Sequence, residues 1–455
     1  IFTVTQSKAQ DSSFQLKDYK FRTQLVQGLL IDFNLSGAIS DVKAINSNDA
    51  QRRSFNTSPF LEHFRVISTE KRQHISNFGL RPSYNSSFNS SDTPRTKNRS
   101  AMFFGGYSRM DRFFFKRNTF FEIGNEFNTY GYSSRQSGGN TFSNSGIINF
   151  QDRLTVGVGK GRLENVQDAQ MALFIVNDLK KMNLLDQDMS AGKVNELAQL
   201  ITGINNRRVF DSRIRRIYEL TKIDSFFRAN QLVKQSSIAF FTTVNDNWAL
   251  AFNPGRLAGT MYYFRMRPSV TWNRNVNEQD LPTNNYKGTN RIFTYAYEPV
   301  IGVEKQQPLN LFWQKSMGAS LSFVQEWQRN KSQYRSGTNS SQQPIFFNSA
   351  GSGFVIDAFY AIGYYPNNRT MVNASFNMQS QYVFSNFSGK SPGLSLSPGL
   401  NLTANYFINY RTRVTVNAGA LYQYYDAIIM QSPSYIYRTS SVDANINIGF
   451  SHILF

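Results

Sequence analysis

The end of the chain alternates strictly between apolar and small polar residues. Val442, Ala444, Ile446, Ile448 and Phe450 share one parity; Ser441, Asp443, Asn445, Asn447, Gly449 and Ser451 share the other. A period of two is the spacing of a β-strand with one apolar and one wet face. The pattern recurs at Leu25–Leu35, Tyr262–Trp272, Val372–Met378, Leu394–Ile408 and Val414–Tyr424. One such run says little. A long series argues for one antiparallel sheet closed on itself, because in lipid an open edge leaves backbone groups unpaired. Composition agrees. No run of about 18 apolar residues is present, so no transmembrane helix is expected. A mean hydropathy of −0.42 suits strands in which every lipid-facing residue is followed by a polar one.

A chain that stops on Phe455 inside such a strand resembles the outer-membrane β-barrel proteins of Gram-negative bacteria. The resemblance implies that Phe455 is an insertion signal, read by the barrel-insertion machinery. It also implies an outer-membrane location among lipid and lipopolysaccharide.

Connections alternate between tight turns, such as Tyr365–Arg369, and longer polar loops, such as Asn330–Pro344. Counting back from Phe455 gives strands near 435–455, 412–430, 394–409, 369–387, 346–365, 310–329, 288–305 and 258–276. Further ones lie near 142–159, 115–132, 99–111, 73–88, 52–67 and 20–39. The expected fold is an all-β transmembrane antiparallel barrel of about 14 strands, an even number as bacterial barrels have. It carries a small inserted α-helical bundle, and parity puts that bundle and both termini in the periplasm. Residues 10–159 supply strands one to six, 160–257 the insert and 258–455 the remaining strands. Ile1–Ala9, with small residues at Ser7 and Ala9, reads as the tail of a signal peptide.

The insert breaks the alternation. Ala169, Leu173, Val176 and Leu179 follow helical spacing, as do Val194, Leu197, Ile201 and Ile204, and then Ile214, Ile217, Tyr218 and Leu220. Ser190, and Asp211 or Ser212, are placed to cap the second and third helices. Arg207, Arg208, Arg213, Arg215 and Arg216 cluster at the start of the third. They are candidates for docking a protein partner; the competing account is a solvated face paired with Asp211, Glu219 and Asp224. The segments Gly157–Glu164, Asp168-Ala169, Leu200–Thr202 and Phe210–Arg213 resemble a helical insert in large barrels of Bacteroidota, which implies lineage but no activity.

Catalytic signals are weak. Cys is absent, and His63, His74 and His452 are far apart, so no thiol chemistry, triad, metal site or cofactor is expected. Gly157-x-Gly159-Lys160-Gly161 lacks phosphate-loop spacing, and its glycines alternate as small inward residues would. A net charge of +19 is scattered over strands and turns, which points away from nucleic acid. Arg81, Arg153, Arg265, Arg267 and Arg413 fall at inward parity and would line a lumen. There they either attract anions or pair with carboxylates such as Asp32, Glu298 and Asp357. The expected function is a non-enzymatic accessory or scaffold subunit of an envelope assembly, secretion or uptake complex, since a pore needs no such insert. The alternative is a porin-like channel with an anion-preferring lumen.

Overall fold

The computed structural model describes residues 14–42, 50–89, 96–138, 141–205, 212–233, 237–249, 256–281, 284–337, 340–341, 343–384, 392–409, 412–429 and 435–452. Six strands come first: β1 (Thr23–Val42), β2 (Ala50–Ser68), β3 (Arg72–Asn89), β4 (Thr96–Phe114), β5 (Thr119–Gly138) and β6 (Thr141–Asn165). Four helices follow: α1 (Gln167–Lys181), α2 (Ala191–Asn205), α3 (Ser212–Ala229) and α4 (Ile238–Ala249). The rest is again strand: β7 (Leu257–Met266), β8 (Ser269–Leu281), β9 (Asn284–Tyr297), β10 (Pro299–Pro308), β11 (Trp313–Ser336), β12 (Ser340–Ser341), β13 (Ile345–Asn367), β14 (Thr370–Val383), β15 (Gly393–Asn409), β16 (Thr412–Ile429) and β17 (Tyr435–His452). All belong to one 17-stranded antiparallel sheet.

That number differs from the 14 expected, for a local reason. β7 and β8 pair end to end with the same strand, β6. They are separated by Arg267 and Pro268, and proline has no N–H to give a ladder. Likewise β9 and β10 both pair with β11 and part at Glu298. The two-residue β12 is a further piece beside β11. The described residues leave the closing ladder unassigned. Among the described residues β1 pairs with β2 and β17 with β16, and no ladder joins β1 to β17. The β16–β17 register is unbroken through Thr412↔His452.

At the helix-bearing end of β5 to β7 the sheet's two faces differ in chemistry. On β5 to β7, Phe121, Ile123, Leu154, Val158, Tyr262 and Phe264 form an apolar face that is exposed. The other face carries Arg265 paired with Glu122 and Arg153 paired with Glu126. The packed core lies elsewhere, among the helices. α1 buries residues all round, from Ala169 through Leu179, as a central helix does. α2 turns Val194, Leu197, Ala198 and Ile201 onto it. α4 adds Phe240, Val244 and Trp248, at intervals of four residues. The sequence reading held three helices; α4 is the fourth. Ser190 Oγ accepts from the Lys193 N–H at 3.4 Å and caps α2. Asp211 lies outside the described residues. Among the described residues no helix is long and apolar enough to cross a membrane.

Candidate functional site

The strands keep their length up to the helix-bearing end of the sheet, where two glycines alter them. Gly161 has φ 104° and Gly259 φ 132°. A Cβ at Gly161 would lie 1.9 Å from the Thr260 carbonyl oxygen, and one at Gly259 2.0 Å from that of Arg162. Only glycine fits there. The kink changes which parity faces which side. Before it, odd-numbered Arg153 faces the polar side; beyond it, Arg162 and Glu164 do.

These two residues tie the tip of β6 to strands that are not its neighbours. The Arg162 guanidinium donates to the Glu70 carbonyl at 3.0 Å and to Ser68 Oγ at 3.1 Å, both in the β2–β3 turn region. Gln73 of β3 donates to the Leu163 carbonyl at 3.1 Å. Since β4 and β5 separate β3 from β6 in the ladder, the sheet curls enough for these tips to meet over its polar face. Glu164, almost fully buried, receives Arg22 at 2.9 Å and also pairs with Arg162.

Residues Phe14–Arg22 form a strap along this end. Its short helical turn, Leu16–Asp18, contacts β7 and β10, while Thr23 already pairs with Ser68 of β2. In between, Tyr19 is wholly buried. Its hydroxyl contacts Thr202 Oγ at 2.5 Å and donates to the Ala198 carbonyl at 3.3 Å. Thr202 in turn donates to Asp168, to which Asn205 also donates at 3.2 Å. Burial pushes both the Tyr19 phenol and the Asp168 carboxyl up from their ordinary pKa values, despite the hydroxyl and amide that favour the Asp168 carboxylate. The strap and the helices are thus one packed unit.

Three further contacts fasten that unit to the sheet. Arg256, just before β7, is 2% exposed. Its guanidinium donates to the Leu311 carbonyl, to those of Asn310 and Trp313 at 2.9 Å each, and to Gln314 Oε1 at 3.2 Å. Burial pushes its pKa down to about 10, so it stays cationic at neutral pH while holding the β10–β11 turn. Asn368, in the β13–β14 turn, donates to Asn247 of α4, which donates to Asp178 of α1 at 3.0 Å. Phe174 of α1 meets Phe312 with ring centroids 6.4 Å apart. Helices, strap and three sets of turns close over the same end of the sheet.

Behind this cap, of the polar-face arginines expected to line a lumen, three are paired with carboxylates and two stand over rings. Arg265 reaches Glu122 across Gly157, and Arg112 binds the same carboxylate at 2.7 Å. Glu122 is wholly buried. Arg267 pairs with Glu298 at 2.5 Å and Arg153 with Glu126 at 3.7 Å. Arg81 and Arg413 stand over rings, 4.7 Å from Phe60 and 5.9 Å from Phe407. On α3, Arg215 and Arg216 share the buried Glu219 at 2.6 and 3.3 Å. Arg207, Arg208 and Phe455 lie outside the described residues, as does the side chain of Arg213. Sequence reasoning missed Glu122, Tyr19, Asp168 and Arg256. Only Glu122 left a trace, in the alternating Gly157 and Gly159 that face it and Phe120.

No protein-family model matches the chain, and no curated protein matches it. Solved structures do. The ferric yersiniabactin uptake receptor of Yersinia pestis is similar over 94% of this chain and 71% of its own, with 7% identity and a TM-score of 0.37. The translocator domain of a Neisseria meningitidis autotransporter matches over 80% of this chain and 84% of its own, at 9% identity and a TM-score of 0.28. A monoaromatic hydrocarbon channel matches over 95% and 90%, at 9% and 0.29. None of these reaches a TM-score of 0.5, so the functional reading rests on this chain's own residues.

Proposed function

We propose that the chain is an outer-membrane β-barrel whose helix-bearing mouth is capped, and that it serves as a non-enzymatic accessory or scaffold subunit of an envelope assembly, secretion or uptake complex. In this reading β1 and β17 pair in the membrane, because lipid offers no partner to an open edge. The exposed apolar face meets the acyl chains. The helices and both ends of the described chain lie in the periplasm. The resemblance of the insert segments to large barrels of Bacteroidota assigns the lineage.

One observation carries the choice of scaffold over pore: the strap, the β6 tip and the helices are fastened over one end of the polar face. A diffusion channel needs that end open. The pairing of Arg153, Arg265 and Arg267 with carboxylates also lowers the positive field that anion selectivity requires. What the cap offers a partner is the outer face of α3. There Ile217 is 61% exposed beside Arg216, and its carboxylates Glu219 and Asp224 are turned inward. Arg215, Arg216, Lys222 and Arg228 outnumber the helix's two carboxylates, with which the three arginines pair, so α3 keeps a net positive charge around Ile217, fit for an acidic protein partner.

The test is purification of the native protein in mild detergent, with identification of what accompanies it. A variant carrying Ile217→Asp and Lys222→Glu alters only exposed positions of α3. Wild type should retain a stoichiometric partner that this variant loses. An identical partner set for both proteins removes α3 as the docking face.

A further inference from the structure

Across the middle of the chain the apolar face forms a band of even width. On the β7–β8 span it runs from Tyr262 to Trp272, on the β9–β10 span from Phe293 to Val303, and on β11 from Met317 to Trp327, where Gln325, donating to the Gly351 carbonyl at 3.1 Å, is the one polar step. Each run is about ten residues, the length a tilted strand needs to cross the apolar part of a bilayer. At the end away from the helices each run stops at a cation of the same parity: Arg274, Arg291 and Arg329, with Lys331 one step beyond.

These cations are set against one another. Arg274 lies directly opposite Arg291, and Arg291 directly opposite Lys331. Three adjacent strands thus place like charges in one row, an arrangement that costs stability unless an anion joins it. Among the described residues Arg274, Arg291 and Arg329 have no ion pair. The nearest carboxylate step, Glu278, is taken by Lys287 at 3.0 Å. Arg274 Nε is buried without a hydrogen-bond partner. The row borders a groove of about 520 Å3 floored by Trp272, Phe293 and Phe346, with the Lys331 ammonium 5.3 Å from the Phe346 ring. A second pair, Arg99 opposite Arg135, stands near the same end of β4 and β5.

We propose that this row is a binding site for the phosphorylated headgroup of an outer-leaflet lipid. Guanidinium forks match phosphate oxygens in pairs. The aromatic floor sits where interfacial aromatics belong. The apolar band directly below takes the acyl chains, so headgroup and tail are recognised by adjoining surfaces. A soluble acidic peptide would use the cations and leave the band idle. The inference rests on the membrane-spanning reading above, and the experiment separates the two.

Wild type and the variant Arg274→Gln/Arg291→Gln/Lys331→Gln are reconstituted in phosphatidylcholine nanodiscs, with or without added lipopolysaccharide. Thermal midpoint and lipid retained in native mass spectrometry are measured. Without lipopolysaccharide the variant should melt no lower than wild type, since like-charge repulsion is gone. With it, wild type should gain stability and hold the lipid, and the variant should lose at least tenfold in retention. Equal retention by the two proteins overturns the site, as does equal stabilisation of wild type by inorganic phosphate or by dephosphorylated lipopolysaccharide. If neither protein enters nanodiscs, the membrane reading itself fails. If both enter and the lipid effect is missing, only the site fails.

Discussion

At Gly157 an added Cβ would lie 2.8 Å from the Phe264 carbonyl oxygen, 2.9 Å from Glu122 Oε1 and 3.0 Å from Arg265 Cγ. The missing side chain is what lets Arg265 cross β6 and reach Glu122. Gly157→Val should therefore break a buried ion pair and leave Glu122 without one of its two arginines, a loss of about 3–5 kcal/mol. The gain in strand propensity from valine is at most about 1 kcal/mol. Guanidinium unfolding of the detergent-solubilised protein, followed by tryptophan fluorescence, measures this. A change under about 1 kcal/mol means that Arg265 has another route to Glu122. The sequence showed Gly157 and Gly159 as small inward residues but not their purpose. A glycine says nothing of which long side chain will lie across it, and Glu122 and Arg265 are far apart in the chain.

At the scale of elements, helix spacing revealed α1, α2 and α3 but not α4. Residues Ile238–Ala249 are rich in Phe, Thr and Val, which favour strands. Their tertiary setting overrides that preference, and only the Phe240, Val244 and Trp248 spacing marks the helix. The strap Phe14–Arg22 was not legible either, because Tyr19 gains its burial from Ala198 and Thr202, far along the chain. The link between strap and helices predicts a pH dependence. Burial raises the Asp168 carboxyl above its ordinary value of 3.8. A raised folded pKa means the protonated form is preferred on folding. The contribution is then fully present below about pH 3.8 and declines as pH rises through the higher folded value. Asp168→Asn should flatten that decline in the cap's stability, read as amide hydrogen exchange in α1 and α2 at a series of pH values rising from 3.8. An unchanged slope in the variant would assign the pH dependence to another group.

For the whole molecule, period-two alternation in the sequence was enough to place nearly every strand. Where strands break was less visible, since Pro268 and Glu298 interrupt ladders that continue on both sides. That the helices gather into a bundle at one end was legible from their apolar stripes; the strap and turns that fasten them there were not, because their partners are distant in sequence. The central claim is that the sheet closes in the membrane around a polar interior that this cap blocks. Single-channel recording in planar bilayers tests it most directly. The comparison is between the full chain and a variant in which residues 167–249 are replaced by a short flexible linker. The full chain should insert and stay electrically silent, and the variant should show uniform open steps, as a closed barrel with a freed mouth must. Open, anion-preferring steps from the full chain, unchanged by removing the helices, would contradict the account and favour the diffusion channel.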